Sequence, residues 1–292
     1  MGRDGDNLGA LNETEQTLAV DADRTALSLR SGTWHYGLLA RWWAEFNHAE
    51  ASEVAYYQTA IAKYGEPAID LGCGAGRLLV PLISEGLEVD GVDVSSDMIA
   101  AARSLLPPNA VNTRLLVQPL HKLDLDREYG TAFMCGVLGI GGRRDWDQEA
   151  LIRVHRYLRP GGALLINHAL PYNNAKGWAD GVPGHHASYP EPWPEEGHRK
   201  ETAAGDAIEL LSRVTSFDPL KQLFEMEMLA RLWRNEVLLE EESYVIRLCL
   251  YFAQEVLLML RIAGFKDVAI EGNYTGQLAT GDDGTVIVVA TK

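Results

Sequence analysis

One stretch limits the possible folds of this chain more than any other: Ala68-Ile69-Asp70-Leu71-Gly72-Cys73-Gly74-Ala75-Gly76-Arg77-Leu78-Leu79-Val80. A short apolar strand carrying an acid runs into three glycines at alternate positions, and an apolar run of helical character follows. Glycine takes backbone dihedrals closed to other residues and lets a ligand come close to the main chain. The helix behind such a turn directs its free N–H groups and its positive dipole end at the loop. The arrangement suits a nucleotide-like ligand. A dinucleotide fingerprint requires G-x-G-x-x-G, but here the glycines are Gly72, Gly74 and Gly76 and the sixth position is Arg77. Asp70 comes two residues before the first glycine. A carboxylate there would repel a pyrophosphate and would accept hydrogen bonds from an ammonium.

An acid followed by G-x-G-x-G resembles the first motif of the class I S-adenosyl-L-methionine (SAM)-dependent methyltransferases, and SAM carries an α-amino group and no phosphate. The resemblance implies an α/β fold with a Rossmann-like seven-stranded sheet. It implies SAM as cofactor, S-adenosyl-L-homocysteine as product, and Asp70, Gly72, Cys73, Gly74 and Gly76 as cofactor-binding positions.

Composition narrows the partners. The chain has 292 residues, enough for one large domain or one domain with a sizeable insertion. Its formal net charge is −15 and its Lys and Arg residues are not clustered, so neither nucleic acid nor an anionic membrane surface is expected as a partner. Cys73, Cys135 and Cys249 are far apart and show no zinc or iron–sulfur spacing. A reducing cytoplasm and no metal are therefore expected. The first thirty residues lack a signal-type apolar core. The most apolar region, 244–265, is broken by Arg247, Gln254, Glu255 and Arg261, which argues against a membrane span.

Read in order, residues 1–30 form a polar, weakly ordered tail, and 31–66 a helical segment dense in aromatics with a second helix over 49–63. In small-molecule methyltransferases that resemble this chain, the corresponding segment closes over SAM, which implies cofactor contacts for Tyr36 and Arg41. The alternative is that the aromatics pack the helix onto the sheet, and Trp34, Trp42 and Trp43 are read that way. Strands and helices then alternate over 67–170: strands at 68–71, 87–93, 113–117, 131–135 and 163–167, and helices at 76–85, from Ser95 or Ser96 as N-cap, and at 147–158. Such alternation means a parallel, doubly wound sheet, which binds its ligand at the carboxyl ends of the strands. Asp93 ends the second strand and can accept hydrogen bonds from ribose hydroxyls. Val94 and Met98 follow it. Gln118 and Leu120 flank the position of adenine in related enzymes, with Pro119 where those enzymes often have an acid. Cys135 ends the fourth strand, where the family's backbone passes the methionine part of SAM.

Residues 171–250 interrupt this pattern. A long loop rich in Pro, Gly, His and Trp over 171–200 precedes three segments, 206–217, 221–233 and 237–250, of which the second alternates with period two. They are expected to form an antiparallel meander with turns at Asp218-Pro219 and Arg234-Asn235. The meander resembles the acceptor-binding inserts of small-molecule methyltransferases, including amino-sugar N-methyltransferases of natural-product pathways. The core resumes over 251–292 with a helix at 253–263, Gly264 as its C-cap, and two terminal strands that form an antiparallel edge. His168, just beyond the fifth strand, is the candidate general base for a hydroxyl acceptor.

The reading is methyl transfer to nitrogen or oxygen of a small-molecule acceptor by a monomer or homodimer. Its rivals are a SAM-binding sensor or scaffold without transfer, and a nicotinamide-dependent oxidoreductase. The glycine spacing speaks against the latter.

Overall fold

The computed structural model describes residues 35–108, 110–170, 182, 184 and 188–292. The expected tail over 1–30, Trp34, and the loop residues Trp178, His185 and His186 lie outside the described residues.

Two helices open the described chain, α1 (Gly37–Phe46) and α2 (Ala51–Tyr64). The core follows as β1 (Ala68–Leu71), α3 (Leu79–Ser84), β2 (Val89–Asp93), α4 (Ser96–Leu105), β3 (Leu115–Val117), β4 (Tyr129–Cys135), α5 (Arg144–Tyr157) and β5 (Leu158–His168). It ends with α6 (Ala253–Ala263), β10 (Asp267–Gly272) and β11 (Val286–Thr291). The strands form a seven-stranded sheet in the order β10-β11-β5-β4-β1-β2-β3. β1 pairs in parallel with β2 on one side and β4 on the other, while β11 runs antiparallel between β5 and β10. Every residue of β1 and β2 is buried, as central strands covered on both faces require. The strand order reverses between β1 and β4, and the crevice at such a switch point is where an open α/β sheet receives a ligand.

Local chemistry explains most of the boundaries. Ser95 caps α4 by accepting a hydrogen bond from the Met98 N–H at 3.2 Å. Gly264, with φ +108°, ends α6 in the left-handed conformation. The helix after the glycine turn begins at Leu79 rather than at Gly76, because Gly76 holds φ +90°, outside helical space. The fifth strand is longer than the expected 163–167: Leu158 pairs with Tyr129 and Ala163 with Thr131, so residues 159–162 are an excursion within one strand.

A second, four-stranded sheet joins β6 (His198–Glu201), β7 (Ala207–Asp218), β8 (Leu223–Arg234) and β9 (Val237–Cys249) in that order, all antiparallel. The expected meander is present, with an additional strand, β6, inside what reads as loop. Its His-Arg-Lys-Glu sequence is exposed throughout and has no apolar alternation; it is a strand only because the β7 edge supplies its hydrogen bonds. The second hairpin turn is Asn235-Glu236, one residue later than expected, with φ +48° and +61°, matching the twist of a two-residue hairpin. Met228, Ala230 and Leu232 share one face of β8 and pack with Ile208 and Leu210 against Leu38 and Leu39 of α1. Among the described residues no helix is long and apolar enough to cross a membrane.

Candidate cofactor site

Two buried acids in neighbouring central strands have opposite surroundings. Asp90 of β2, 0% exposed, accepts from the Arg114 backbone N–H (2.9 Å), Arg114 Nε (3.1 Å), Arg127 Nη2 (2.7 Å) and the Tyr129 hydroxyl (2.7 Å). It ties β2 to the chain entering β3 and to β4. Asp70 of β1 is 3% exposed, and among the described residues no hydrogen bond reaches its carboxylate. A buried carboxylate without donors is costly. Burial pushes the Asp70 carboxyl up to about 8, with Arg77 opposing the shift and Asp93 and Glu53 adding to it. The structural acid is satisfied, and the acid beside the glycine turn is left for a donor from outside.

The turn itself is pinned from β2. Asp93, 6% exposed, accepts from the Gly74 N–H through Oδ2 at 2.9 Å and from the Ser95 N–H through Oδ1 at 2.8 Å. Burial raises its pKa while these backbone donors oppose the rise. Each oxygen keeps a lone pair, so hydroxyl donors can still be accepted. Gly72 holds φ +78°, and a Cβ there would overlap the Val137 side chain, so the turns after β1 and β4 lie in contact. By contrast, a Cβ at Gly74 would meet only Met98 Sδ at 4.0 Å, and one at Gly136 would meet nothing within 4 Å. The space is open at the two glycines that would face a ligand in the crevice.

The other expected site residues divide. The Tyr36 hydroxyl donates to the Val94 carbonyl at 3.3 Å, so Tyr36 reaches the strand end that carries Asp93. Val94 is partly exposed there, and Met98 is buried beside the turn. Arg41 is turned away: it pairs with Glu45 at 2.8 Å on its own helix and lies 3.8 Å from Asp206 beside β7. The Cys73 thiol fills the space left by Gly91, where a Cβ would come within 2.9 Å of Sγ, so this side chain faces the core and only its backbone is in the turn. The Cys135 thiol lies 3.0 Å from the Tyr57 hydroxyl, and burial raises its pKa well above that of a free thiol. Gln118 uses both ends of its amide on its own loop, Oε1 accepting from the Asp124 N–H at 2.9 Å and Nε2 donating to the Asp124 carbonyl at 3.1 Å. It therefore shapes the loop that carries Leu120, which packs partly buried against the core.

His168 ends β5 as expected, but it is 6% exposed and its Nε2 sits 2.9 Å from the Tyr251 carbonyl oxygen. Nε2–H donates to that carbonyl, and burial lowers the pKa, so the ring is neutral and held in the packing between β5 and the chain entering α6. Among the described residues no group of three or more His, Cys, Asp or Glu side chains could hold a metal.

Sequence reading missed a polar cluster beneath the turn. Glu53 of α2, 5% exposed, takes both Arg77 guanidinium nitrogens, Nη2 at 2.8 Å and Nη1 at shorter range. The Tyr274 hydroxyl donates to Glu53 Oε1 at 3.1 Å and accepts from Asn167 Nδ2 at the end of β5. The only sequence signal was Arg77 at the position where a dinucleotide fingerprint has glycine.

The second sheet joins the site through the loop after β4. The Gly141 N–H donates to the Arg247 carbonyl and the Cys249 N–H to the Gly139 carbonyl, both at 2.8 Å. Arg144 at the start of α5 donates to the Leu250 carbonyl and to Gln222 Oε1, both at 2.9 Å. α1 is held from both sides: the Gly37 N–H donates to Asp97 Oδ2 at 2.9 Å and the Leu38 N–H to Glu242 Oε2 at 2.6 Å. Gly37 holds φ +56°, and a Cβ there would overlap the Glu242 carboxylate.

A strand–glycine turn with an acid two residues before the first glycine, a second acid at the next strand edge, and a seven-stranded sheet with an antiparallel final strand together define an α/β cofactor-binding core. Residues 68–162 match a family model described as a methyltransferase domain. The core has the fold of the class I SAM-dependent methyltransferases. The ubiquinone biosynthesis O-methyltransferase of Rickettsia akari is 24% identical over 113 residues, covering 39% of this chain and 43% of that protein. The chain spans less than half the length of this curated relative. Solved structures share the fold across more of the chain. The CcbJ methyltransferase from Streptomyces caelestis superposes with a TM-score of 0.64 at 19% identity, covering 88% of this chain and 99% of that one. CalS10 from Micromonospora echinaspora, a SAM-bound amino pentose methyltransferase of calicheamicin biosynthesis, gives 0.61 at 18% identity, covering 89% and 98%.

The buried Asp70 yields a pH prediction. Its folded pKa lies above the unfolded carboxylate value, so its contribution is most favourable at about pH 4 and is lost as pH rises through about 8. Asp70→Asn is expected to stabilise the ligand-free protein at pH 8.5 by about 2–4 kcal/mol and to leave stability near pH 4 almost unchanged. The same change should weaken SAM binding. Urea melts at the two pH values would check it, and an Asn variant less stable than the parent at pH 8.5 would refute it.

Proposed function

We propose that this chain is a SAM-dependent methyltransferase that moves a methyl group to nitrogen or oxygen of a small-molecule acceptor. The observation that carries the proposal is the paired acid arrangement at the switch point: Asp70 buried without a donor among the described residues, and Asp93 fastening Gly74 at 2.9 Å with acceptor capacity to spare. SAM matches both, with an ammonium for the first and ribose hydroxyls for the second. Bound, it supplies an activated sulfonium methyl. Asp70 receives the ammonium, Asp93 the ribose, and the loops at Gly74 and Gly136 give the ligand backbone-close passage. Tyr36 and α1 close the ribose side by the hydrogen bond to Val94. Alignment of the acceptor and exclusion of water are then the protein's main work.

The second sheet, α1 and the loop after β4 are the parts that would shape the acceptor pocket. Their mutual hydrogen bonds support a shared role. Nitrogen is the favoured acceptor atom for two reasons: His168 is neutral and committed to the Tyr251 carbonyl, and an amine needs only to arrive unprotonated whereas a hydroxyl gains from a base. The likeness of fold to an amino pentose methyltransferase supports an amino sugar as the first acceptor class to test.

The decisive experiment is calorimetric titration with SAM, S-adenosylhomocysteine and NAD, followed by transfer of labelled methyl from SAM to panels of amino sugars and hydroxylated aromatics. Binding of the two adenosyl ligands but not NAD, with label appearing on an amine, is the expected result. Binding of NAD alone would replace the proposal with a nicotinamide enzyme. Adenosyl binding with no transfer to either panel would favour a sensor or scaffold.

A further inference from the structure

The buried cluster beneath the glycine turn has a charge pattern that suits one end of the proposed cofactor. Asp70 is a carboxylate 3% exposed with no hydrogen-bond donor among the described residues. The charged groups acting on it come from three directions: Arg77 behind the turn, Asp93 at the end of β2 and Glu53 on α2. Arg77 is the only cation of the three. It is not free to move onto Asp70, because both of its terminal nitrogens are engaged by Glu53. Glu53 is in turn fixed by the Tyr274 hydroxyl at 3.1 Å. Tyr274 holds φ +57°, a left-handed conformation costly for a bulky side chain, and the turn that imposes it brings its hydroxyl to both Glu53 and Asn167. Four separate elements therefore hold one ion pair beside one unpaired acid.

We propose that Asp70, Arg77 and Glu53 act together as a three-charge set of net −1 that selects the ammonium end of the cofactor, with Glu53 as the positioning residue that neutralises Arg77. The proposal rests on the SAM reading above. Arg77 opposes the effect of burial on Asp70 and so favours the ionised form that an arriving ammonium completes; uncompensated, it would repel that ammonium. Glu53 cancels that repulsion and holds the guanidinium in place. The set then lacks one positive charge, which the ligand supplies. A purely structural ion pair would affect every ligand of the crevice alike, whereas this set acts only on a ligand that carries the ammonium.

The test compares SAM with 5′-methylthioadenosine, which has the adenosine and sulfur but neither ammonium nor carboxylate. Calorimetric Kd values are measured for both ligands on the parent, Glu53→Gln and Arg77→Lys. The expected result is that Glu53→Gln weakens SAM about tenfold and methylthioadenosine less than twofold, since one charge at close range in a partly desolvated site is removed. Arg77→Lys, which keeps the charge, should leave the ratio of the two affinities within about threefold of the parent. Equal weakening of both ligands by Glu53→Gln, or no change in either, would overturn the proposal. Should Glu53→Gln fail to fold, Glu53→Gln/Arg77→Gln removes both buried charges. Loss of SAM preference at pH 7 that returns at pH 9, as Asp70 reionises, supports the set, and a pH-independent ratio overturns it. A parent chain that binds neither ligand overturns the cofactor reading and the inference with it, whereas binding of both with an unchanged ratio in the variants overturns the inference alone.

Discussion

Asp93→Ala is expected to abolish measurable SAM binding, raising Kd at least about 100-fold, and to lower stability by about 2–3 kcal/mol. The side chain has two tasks that one substitution removes together. Its Oδ2 holds the Gly74 N–H at 2.9 Å and its Oδ1 the Ser95 N–H at 2.8 Å, so the glycine turn and the N-terminus of α4 are both fastened to the edge of β2. Removing the carboxylate leaves two backbone donors without an acceptor in a site where Asp93 was 6% exposed. Against this, the loss of a desolvated charge returns part of the energy, which is why the expected stability loss is moderate. The ligand effect is larger because the spare lone pairs of the same oxygens are the proposed ribose acceptors. Asp93→Asn separates the tasks: it can accept from one backbone N–H but not both through a carboxylate, and it should recover most of the stability and little of the affinity. Parallel urea melts and calorimetry would check this, and an alanine variant with parental SAM affinity would refute the placement of the ribose.

Gly139→Ala is expected to cost about 2–4 kcal/mol of stability and to reduce methyl transfer more than SAM binding. Gly139 holds φ +95°, and a Cβ there would overlap the Cys249 carbonyl oxygen, a backbone atom that cannot rotate aside. The substitution would therefore force apart the loop after β4 and the end of β9, breaking the hydrogen bonds Gly139–Cys249 and Gly141–Arg247 that join them. Since the second sheet is proposed to present the acceptor, its displacement should raise the acceptor KM and lower kcat while Kd for SAM changes by less than about threefold. Gly72→Ala makes a useful contrast: its obstacle is the Val137 side chain rather than backbone, and the damage should appear first in SAM affinity.

The core was legible because its signals are local. Ala68–Leu71 forms β1 at the expected residues, Ser95 rather than Ser96 is the N-cap of the two candidates, and Gly264 ends α6 in the left-handed conformation. Period-two alternation in β8 identified a strand, and the structure adds that one face of it packs on α1. Gly72, Gly74 and Gly76 hold the positive φ that makes glycine fit such a turn, a preference carried by the residues themselves.

Other features depend on partners far along the chain. The exposed β6 carries no apolar pattern and exists only against the edge of β7. His168 reads as an available base until Tyr251, 83 residues later, presents its carbonyl to the ring. Arg41 lies on the segment expected to close over the site, yet Glu45 and Asp206 draw it toward the second sheet.

Sequence alone determined the strand–turn–helix unit, the alternation that makes a parallel sheet, and the acid-and-glycine spacing that points to SAM. These follow from backbone preference and side-chain period, which act over a few residues. Only the tertiary structure decided that, among the described residues, Asp90 is satisfied and Asp70 is not, that Glu53 clamps Arg77, and that the second sheet is hydrogen-bonded to the loop after β4. The cost of a buried charge depends on donors brought from other elements, and their arrival is set by how the whole chain packs.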